Sequence, residues 1–176
     1  MALGCFGECF MSLGPAAHKY LGEIVPLLTS AIGDAESESL RRNGAFCMGH
    51  MVSQAAPLMQ PAEIMALMQH LSPLVGQASV EGQMQGQTGT DADNALSAAC
   101  RIIKVRPDAV PLDSMLPVML RALPLKADLE EGENIFGVLC SLVDAGNAAA
   151  LVNYTRILEV VAQVNLSPHH LTRYYN

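Results

Sequence analysis

Cysteine and histidine are the residue types here that could hold a metal or attack a substrate, and their spacing decides whether they do. Cys5 and Cys9 stand four residues apart, which puts both thiols on one face of a helix, where two thiolates can share a metal. No matching His or Cys pair follows, and Cys47, Cys100 and Cys140 are scattered. All five therefore read as small buried hydrophobes. Their odd number, with no basic n-region ahead of the first apolar stretch, favours a reducing compartment over a disulfide framework. His169-His170 lies in a polar tail, and His50 and His70 fall in different helical segments with no acidic neighbour in sequence. There is no P-loop, dinucleotide fingerprint, nucleophile elbow or HExxH motif. The sequence thus assigns no catalytic residue, no metal and no cofactor, and the expectation is a non-enzyme.

The carboxylates are better placed to act. Asp34, Glu36, Glu38, Asp91, Asp93, Asp128, Glu130, Glu131 and Glu133 cluster at turns and helix starts. Acids at helix N-termini favour the helix locally, by about 0.3–1 kcal/mol each. If the helices stack, the same residues also make an acidic edge. Asp91, Asp93, Glu130, Glu131 and Glu133 are then candidate contacts for a Lys/Arg-rich protein partner. Arg41 and Arg42 follow the turn that holds Asp34, and a ladder between neighbouring repeats is expected of these three. Asn43, Asn94 and Asn134 recur at one place in successive helices. Asn is a poor helix former, so its amide is expected to bond to backbone in the adjacent repeat.

These residues must be positioned by repeating elements, and the repeat is visible in three sets of markers. The three Asn residues are 51 and 40 positions apart. The apolar blocks centred on residues 26, 66, 117 and 159 are separated by 40, 51 and 42. Pro15, Pro57 and Pro107 are 42 and 50 apart, with Gly146 a further 39 on. The common period is about 40, with one longer interval. Residues 75–92, rich in Gly, Gln, Ser and Thr, supply the excess and read as a flexible insertion.

Within each period the apolar residues recur at three- and four-residue steps, as Leu21, Ile24, Val25, Leu28 and Ile32 do. Each repeat divides into an A and a B helix. The expected array is a half repeat at 1–13, repeats at 17–54, 62–105 and 112–143, a half repeat at 148–164, and an irregular tail at 165–176. Pro26 and Pro117 fall inside A helices at matching places and predict curvature. The predicted fold is all-α, an α-solenoid of HEAT/armadillo-type helical hairpins.

Composition agrees. About half of the 176 residues are hydrophobic, ten are Met and none is Trp, a mixture that favours helices and adaptable interfaces between them. The net charge of −7 argues against a nucleic-acid surface, which needs a basic stripe. No run of eighteen apolar residues predicts a membrane span.

Residues 93–151 (DNALSAACRIIKVRPDAVPLDSMLPVMLRALPLKADLEEGENIFGVLCSLVDAGNAAAL) resemble the C-terminal HEAT repeats of importin-beta-type nuclear transport receptors, the karyopherins. The block LDSMLPVMLRALPLKADLEE, 112–131, is the most specific part, and LRRNGAFCMG, 40–49, is similar to the second helix of an importin repeat. The resemblance is nearest the importin four branch and covers residues 1–164.

It implies a C-terminal fragment of an import receptor that shuttles between cytoplasm and nucleus. The implied cargo includes histones and ribosomal proteins, held on the concave B-helix side. Nucleoporin Phe-Gly repeats would contact the convex A helices. Ran GTPase would bind through N-terminal repeats that this sequence does not contain. A HEAT scaffold outside transport has the same fold and is the alternative. No direct nucleic-acid contact and no membrane insertion are expected.

Overall fold

The computed structural model describes residues 2–77 and 89–165. The described elements are helical throughout: α1 (Ala2–Leu13), α2 (Leu21–Ile32), α3 (Glu38–Ala55), α4 (Pro61–Gln77), α5 (Thr90–Val105), α6 (Leu112–Ala122), α7 (Gly132–Asp144), α8 (Ala148–Val152) and α9 (Tyr154–Asn165). Short 3-10 turns at Gly14–Tyr20, Ala56–Leu58, Pro107–Ala109 and Leu129–Glu131 link them.

The helices alternate between two layers. In the B layer α1 packs on α3, α3 on α5, and α5 on α7; in the A layer α2 meets α4, α4 meets α6, and α6 meets α8 and α9. Each hairpin makes its substantial contacts with its neighbours in sequence, which is the mark of a solenoid. The B helices pack together more extensively than the A helices.

Local chemistry explains the boundaries. Pro15, Pro57 and Pro107 each stand in the first positions of a 3-10 turn, where a missing N–H costs nothing. Ser37 caps α3, its side chain accepting from the Leu40 N–H at 3.2 Å. The Asp34 carboxylate accepts from the Glu36 and Ser37 N–H groups at 3.0 and 2.6 Å, and these bonds hold its carboxyl below the usual range. Pro26 and Pro117 are each the sixth residue of their helix, and Pro73 lies inside α4.

Three expected boundaries differ. The first A helix begins at Leu21 rather than 17, because Gly14 at φ 56° and Pro15 start a 3-10 turn that runs to Tyr20. The last A helix is broken at Asn153, whose side-chain amide bonds to the Ala149 carbonyl at 2.8 Å and ends α8 early. The insertion is shorter than 75–92: α4 continues to Gln77 and α5 starts at Thr90, after Gly89 in the left-handed region at φ 80°. Residues 78–88 of it lie outside the described residues, as does the tail from 166 onward.

The core is one continuous sheet of contacts between the layers, with Leu28, Met48, Leu71, Leu96, Ile103 and Leu116 among its most buried members. α5 is the axis of the array, and every residue from Asp91 to Cys100 is buried. Close approach in the B layer depends on small residues. A Cβ at Gly49 would lie 2.8 Å from the Ala98 Cα, so α3 and α5 touch backbone to backbone there. Gly49→Ala should force the helices apart and cost about 1–3 kcal/mol. Gly137→Ala, where a Cβ meets nothing within 4 Å, should leave stability unchanged or raise it by up to about 1 kcal/mol. Urea unfolding of the two variants checks the contrast.

Candidate functional site

The start of α5 is the chemical centre of the fold. It carries Asp91, Asp93, Asn94 and Ser97, four polar side chains buried in the B layer. A buried polar group is costly unless bonded. Here the neighbouring hairpins supply the bonds, and among the described residues no buried side-chain N or O lacks a partner.

Asp91 faces backward along the array. Its Oδ2 pairs with Arg41 Nε of α3 at 2.5 Å, and the same guanidinium donates to the Asp34 carbonyl at 3.0 Å. Glu38 Oε1 accepts from the Thr90 N–H at 3.0 Å, a second tie across the same interface. Asp93, 1% exposed, faces forward. Its Oδ2 accepts from three successive backbone N–H groups, Lys126 at 3.1 Å, Ala127 at 2.7 Å and Asp128 at 2.9 Å. Burial pushes the Asp93 carboxyl above its usual range, against the pull of those three donors.

Asn94 donates to the Thr90 carbonyl at 3.0 Å and to Asp128 Oδ2 at 2.8 Å. Ser97 Oγ bonds Glu131 and Arg101 and accepts from Asn134 Nδ2 at 2.8 Å; Arg101 and Glu131 also pair at 2.9 Å. Asn134 also donates to the Ser97 carbonyl at 3.0 Å.

Two further arginines stitch the turns. Arg106 donates to the Ala56 and Met59 carbonyls at 3.1 and 3.0 Å, and Arg156 to those of Leu120 and Leu123 at 3.3 and 3.2 Å.

Several expectations change at this level. Asp91 and Asp93 are not surfaces for a basic partner, because they are buried and fully engaged inside the fold. Glu131 is likewise occupied by Ser97 and Arg101, whereas Glu130 and Glu133 are exposed. Arg41 meets the carbonyl of Asp34 rather than its carboxylate, which is already bonded within its own turn. Asn43 makes only a long 3.5 Å contact with Ser39 of its own helix, so it does not join the ladder.

Arg42, grouped with these, makes no ion pair or hydrogen bond among the described residues and faces a groove instead. Cys47 and Cys100 are buried, with thiols pushed up to about 12 by desolvation. Cys5, Cys9 and Cys140 are exposed, contrary to the reading of all five as core. α1 turns Gly7 and Phe10 inward and so leaves the Cys5–Cys9 face outside. Among the described residues no group of three or more His, Cys, Asp or Glu could hold a metal, and His169-His170 lies outside them. No described helix is long and apolar enough to cross a membrane.

The groove is the feature that sequence reasoning missed. It encloses about 490 Å³ on the B face, between α1, α3, the start of α5 and the turn before α7. Glu8, Arg42, Asn43, Phe46, Asn94, Asp128, Glu130 and Glu131 line it, with Gly4 and Cys5 at the α1 side. Its volume is in the range of about 300–1,000 Å³ that suits small ligands or side chains of a partner. Asp128 and Glu131 are held by the seam, but Glu8 and Glu130 have no partner among the described residues. Glu8 gave no signal in sequence, since it sits in mid-helix away from the acidic turns.

Against known proteins, the chain is 27% identical over 164 residues to the probable importin subunit beta-4 of Schizosaccharomyces pombe, an alignment covering 93% of this chain and 14% of that protein. It is 30% identical over 132 residues to importin-4 of Homo sapiens, covering 74% of this chain and 11% of the relative. With importin-4 of Mus musculus it shares 27% over 152 residues, 86% of this chain and 13% of the relative. The chain thus spans only 11–14% of the length of these relatives. No family model matches it, and no solved structure does.

The seam makes two predictions. Removing one partner of a buried pair leaves the other charge uncompensated, so Asp91→Ala should cost about 3–5 kcal/mol in urea unfolding. Arg41→Met combined with Asp91→Leu should recover most of that loss.

His50 packs against Phe46 with ring centroids 4.4 Å apart. Burial, with Arg101 adding to it and Glu131 opposing, lowers its pKa to about 4. The folded value is therefore below the unfolded value of about 6.5, so protonation favours unfolding. Stability should be fully present above pH 6.5 and fall as the pH drops toward 4. His50→Gln should flatten the melting-temperature profile in that window, while the loss below it, where Asp34 and Asp108 protonate, should remain.

Proposed function

We propose that this chain, which is similar over 74–93% of its length to proteins named as importins, is a protein-binding stretch of a nuclear import receptor of the importin-beta superfamily. It shuttles between cytoplasm and nucleus, with basic cargo such as histones or ribosomal proteins as its load. The observation that carries the reading is similarity over 74–93% of this chain to proteins named as importins. The structure supports it by offering surfaces rather than reacting groups. The B face has an open groove with two carboxylates, Glu8 and Glu130, that have no partner among the described residues, and Glu133 is exposed nearby in sequence. The A helices leave Leu27, Met65 and Leu158 exposed, apolar side chains of the kind that Phe-Gly segments would meet. Ran would engage parts of the receptor outside this chain.

On this reading the B face attracts cations through its field more than through any single bond. Exposed ion pairs contribute about 0.2–1 kcal/mol each, and salt screens them. A labelled Lys/Arg-rich peptide should therefore bind the chain at low ionic strength and weaken steeply as salt rises. Glu8→Gln and Glu130→Gln should each weaken it by about two- to five-fold. Fluorescence anisotropy measures both. Absence of binding at low salt, or binding that neither substitution alters, would reject the groove as a cargo site.

A further inference from the structure

The groove on the B face contains a cation as well as carboxylates, and among the described residues that cation has no partner. Arg41, next in sequence, is buried against Asp91, and Arg101 is engaged by Glu131 and Ser97. Arg42 lines the groove together with Glu8, Asp128, Glu130 and Glu131, yet no carboxylate comes within ion-pairing distance of it among the described residues. An arginine placed to neutralise the groove would pair there, as its neighbours do elsewhere. The groove instead holds Arg42 on α3 apart from Glu8 on α1 and Glu130 in the turn before α7, with Asp128, whose carboxylate accepts from the neutral Asn94 amide, as a further negative group.

We propose that Arg42 is the specificity-determining residue of this groove, selecting a peptide in which an acidic side chain stands between basic ones over an uninterrupted basic run. The proposal rests on the reading of the groove as a peptide site. A peptide that covers the groove strips water from the half-buried guanidinium. That is unfavourable unless the peptide supplies an anion, and a lysine in that place adds like-charge repulsion. A carboxylate gains a charge-assisted, two-pronged bond of the kind that guanidinium geometry favours. Flanking lysines meanwhile face Glu8 and Glu130. Selection arises from the repulsive element as much as from the attractive ones.

Two labelled peptides, alike except for a central Glu in one and a central Lys in the other, with lysines on both sides, test this on the 176-residue chain. Net charge alone favours the Lys peptide, because the chain carries −7. The expected result is the opposite, with the Glu peptide binding at least about three-fold more tightly. Arg42→Met should abolish that preference and Arg42→Glu should reverse it. Arg42→Met should melt with the parent chain, since Arg42 makes no ion pair or hydrogen bond among the described residues. Tighter binding of the Lys peptide to the parent chain, or a Glu preference that survives Arg42→Glu, overturns the proposal. If both peptides bind equally and Glu8→Gln and Glu130→Gln weaken them, the groove is a basic-peptide site and the role of Arg42 is wrong. If neither peptide binds, the groove reading and this proposal fall together.

Discussion

The array depends on one constraint: the buried carboxylates at the start of α5, Asp91 and Asp93, take their principal partners from the hairpins on either side. Asp91 requires Arg41 from the preceding hairpin, and Asp93 requires the backbone N–H groups of 126–128 from the following one. Apolar packing alone is tolerant of small slides between helices. A carboxylate that must receive three successive amides at 2.7–3.1 Å is not. The polar seam therefore fixes the register of stacking, while the Met- and Leu-rich core between the layers supplies the driving force. The proposed binding role depends on that register, since a groove assembled from α1, α3, the start of α5 and the turn before α7 keeps its charges in place only if the stacking is fixed.

The B layer combines two kinds of contact that reinforce each other. Gly49 against Ala98 brings the α3 and α5 backbones close, and that approach places Arg41 and Glu38 within reach of Asp91 and Thr90. The A layer shows no such close backbone approach among the described residues and carries prolines at matching places in α2 and α6. Arg156 of α9 ties it by reaching the Leu120 and Leu123 carbonyls, while Arg106, after α5, reaches the turn between α3 and α4. The looser A face leaves side chains such as Leu27 and Leu158 exposed.

Much of the fold was legible in the sequence because a period of about 40 in Asn, Pro and apolar blocks has few structural solutions. Element ends were less so. Asn147 and Asn153 are the same residue type six positions apart, yet one caps α8 and the other terminates it by bonding backward. The candidate site was legible only as a neighbourhood. Asp91 and Glu130 look alike in sequence, each an acid near a helix start, but one is sealed under Arg41 and the other is exposed. Burial is set by the neighbouring repeat, which local pattern does not encode. For the same reason Asn94 reaches the following hairpin and Asn134 the preceding one, while Asn43, at the matching place, faces the groove. Cys5 and Cys9 show the converse, apolar-looking residues left outside because α1 turns Gly7 and Phe10 to α3.

Amide hydrogen exchange at Lys126, Ala127 and Asp128 tests the seam most directly. These N–H groups lie in a turn where Lys126 and Ala127 are exposed, and Asp93 is the acceptor that all three share. The account predicts strong protection at these amides, lost in Asp93→Ala while the α2–α3 hairpin stays protected. Exchange at the rate of an open loop in the parent chain would contradict it.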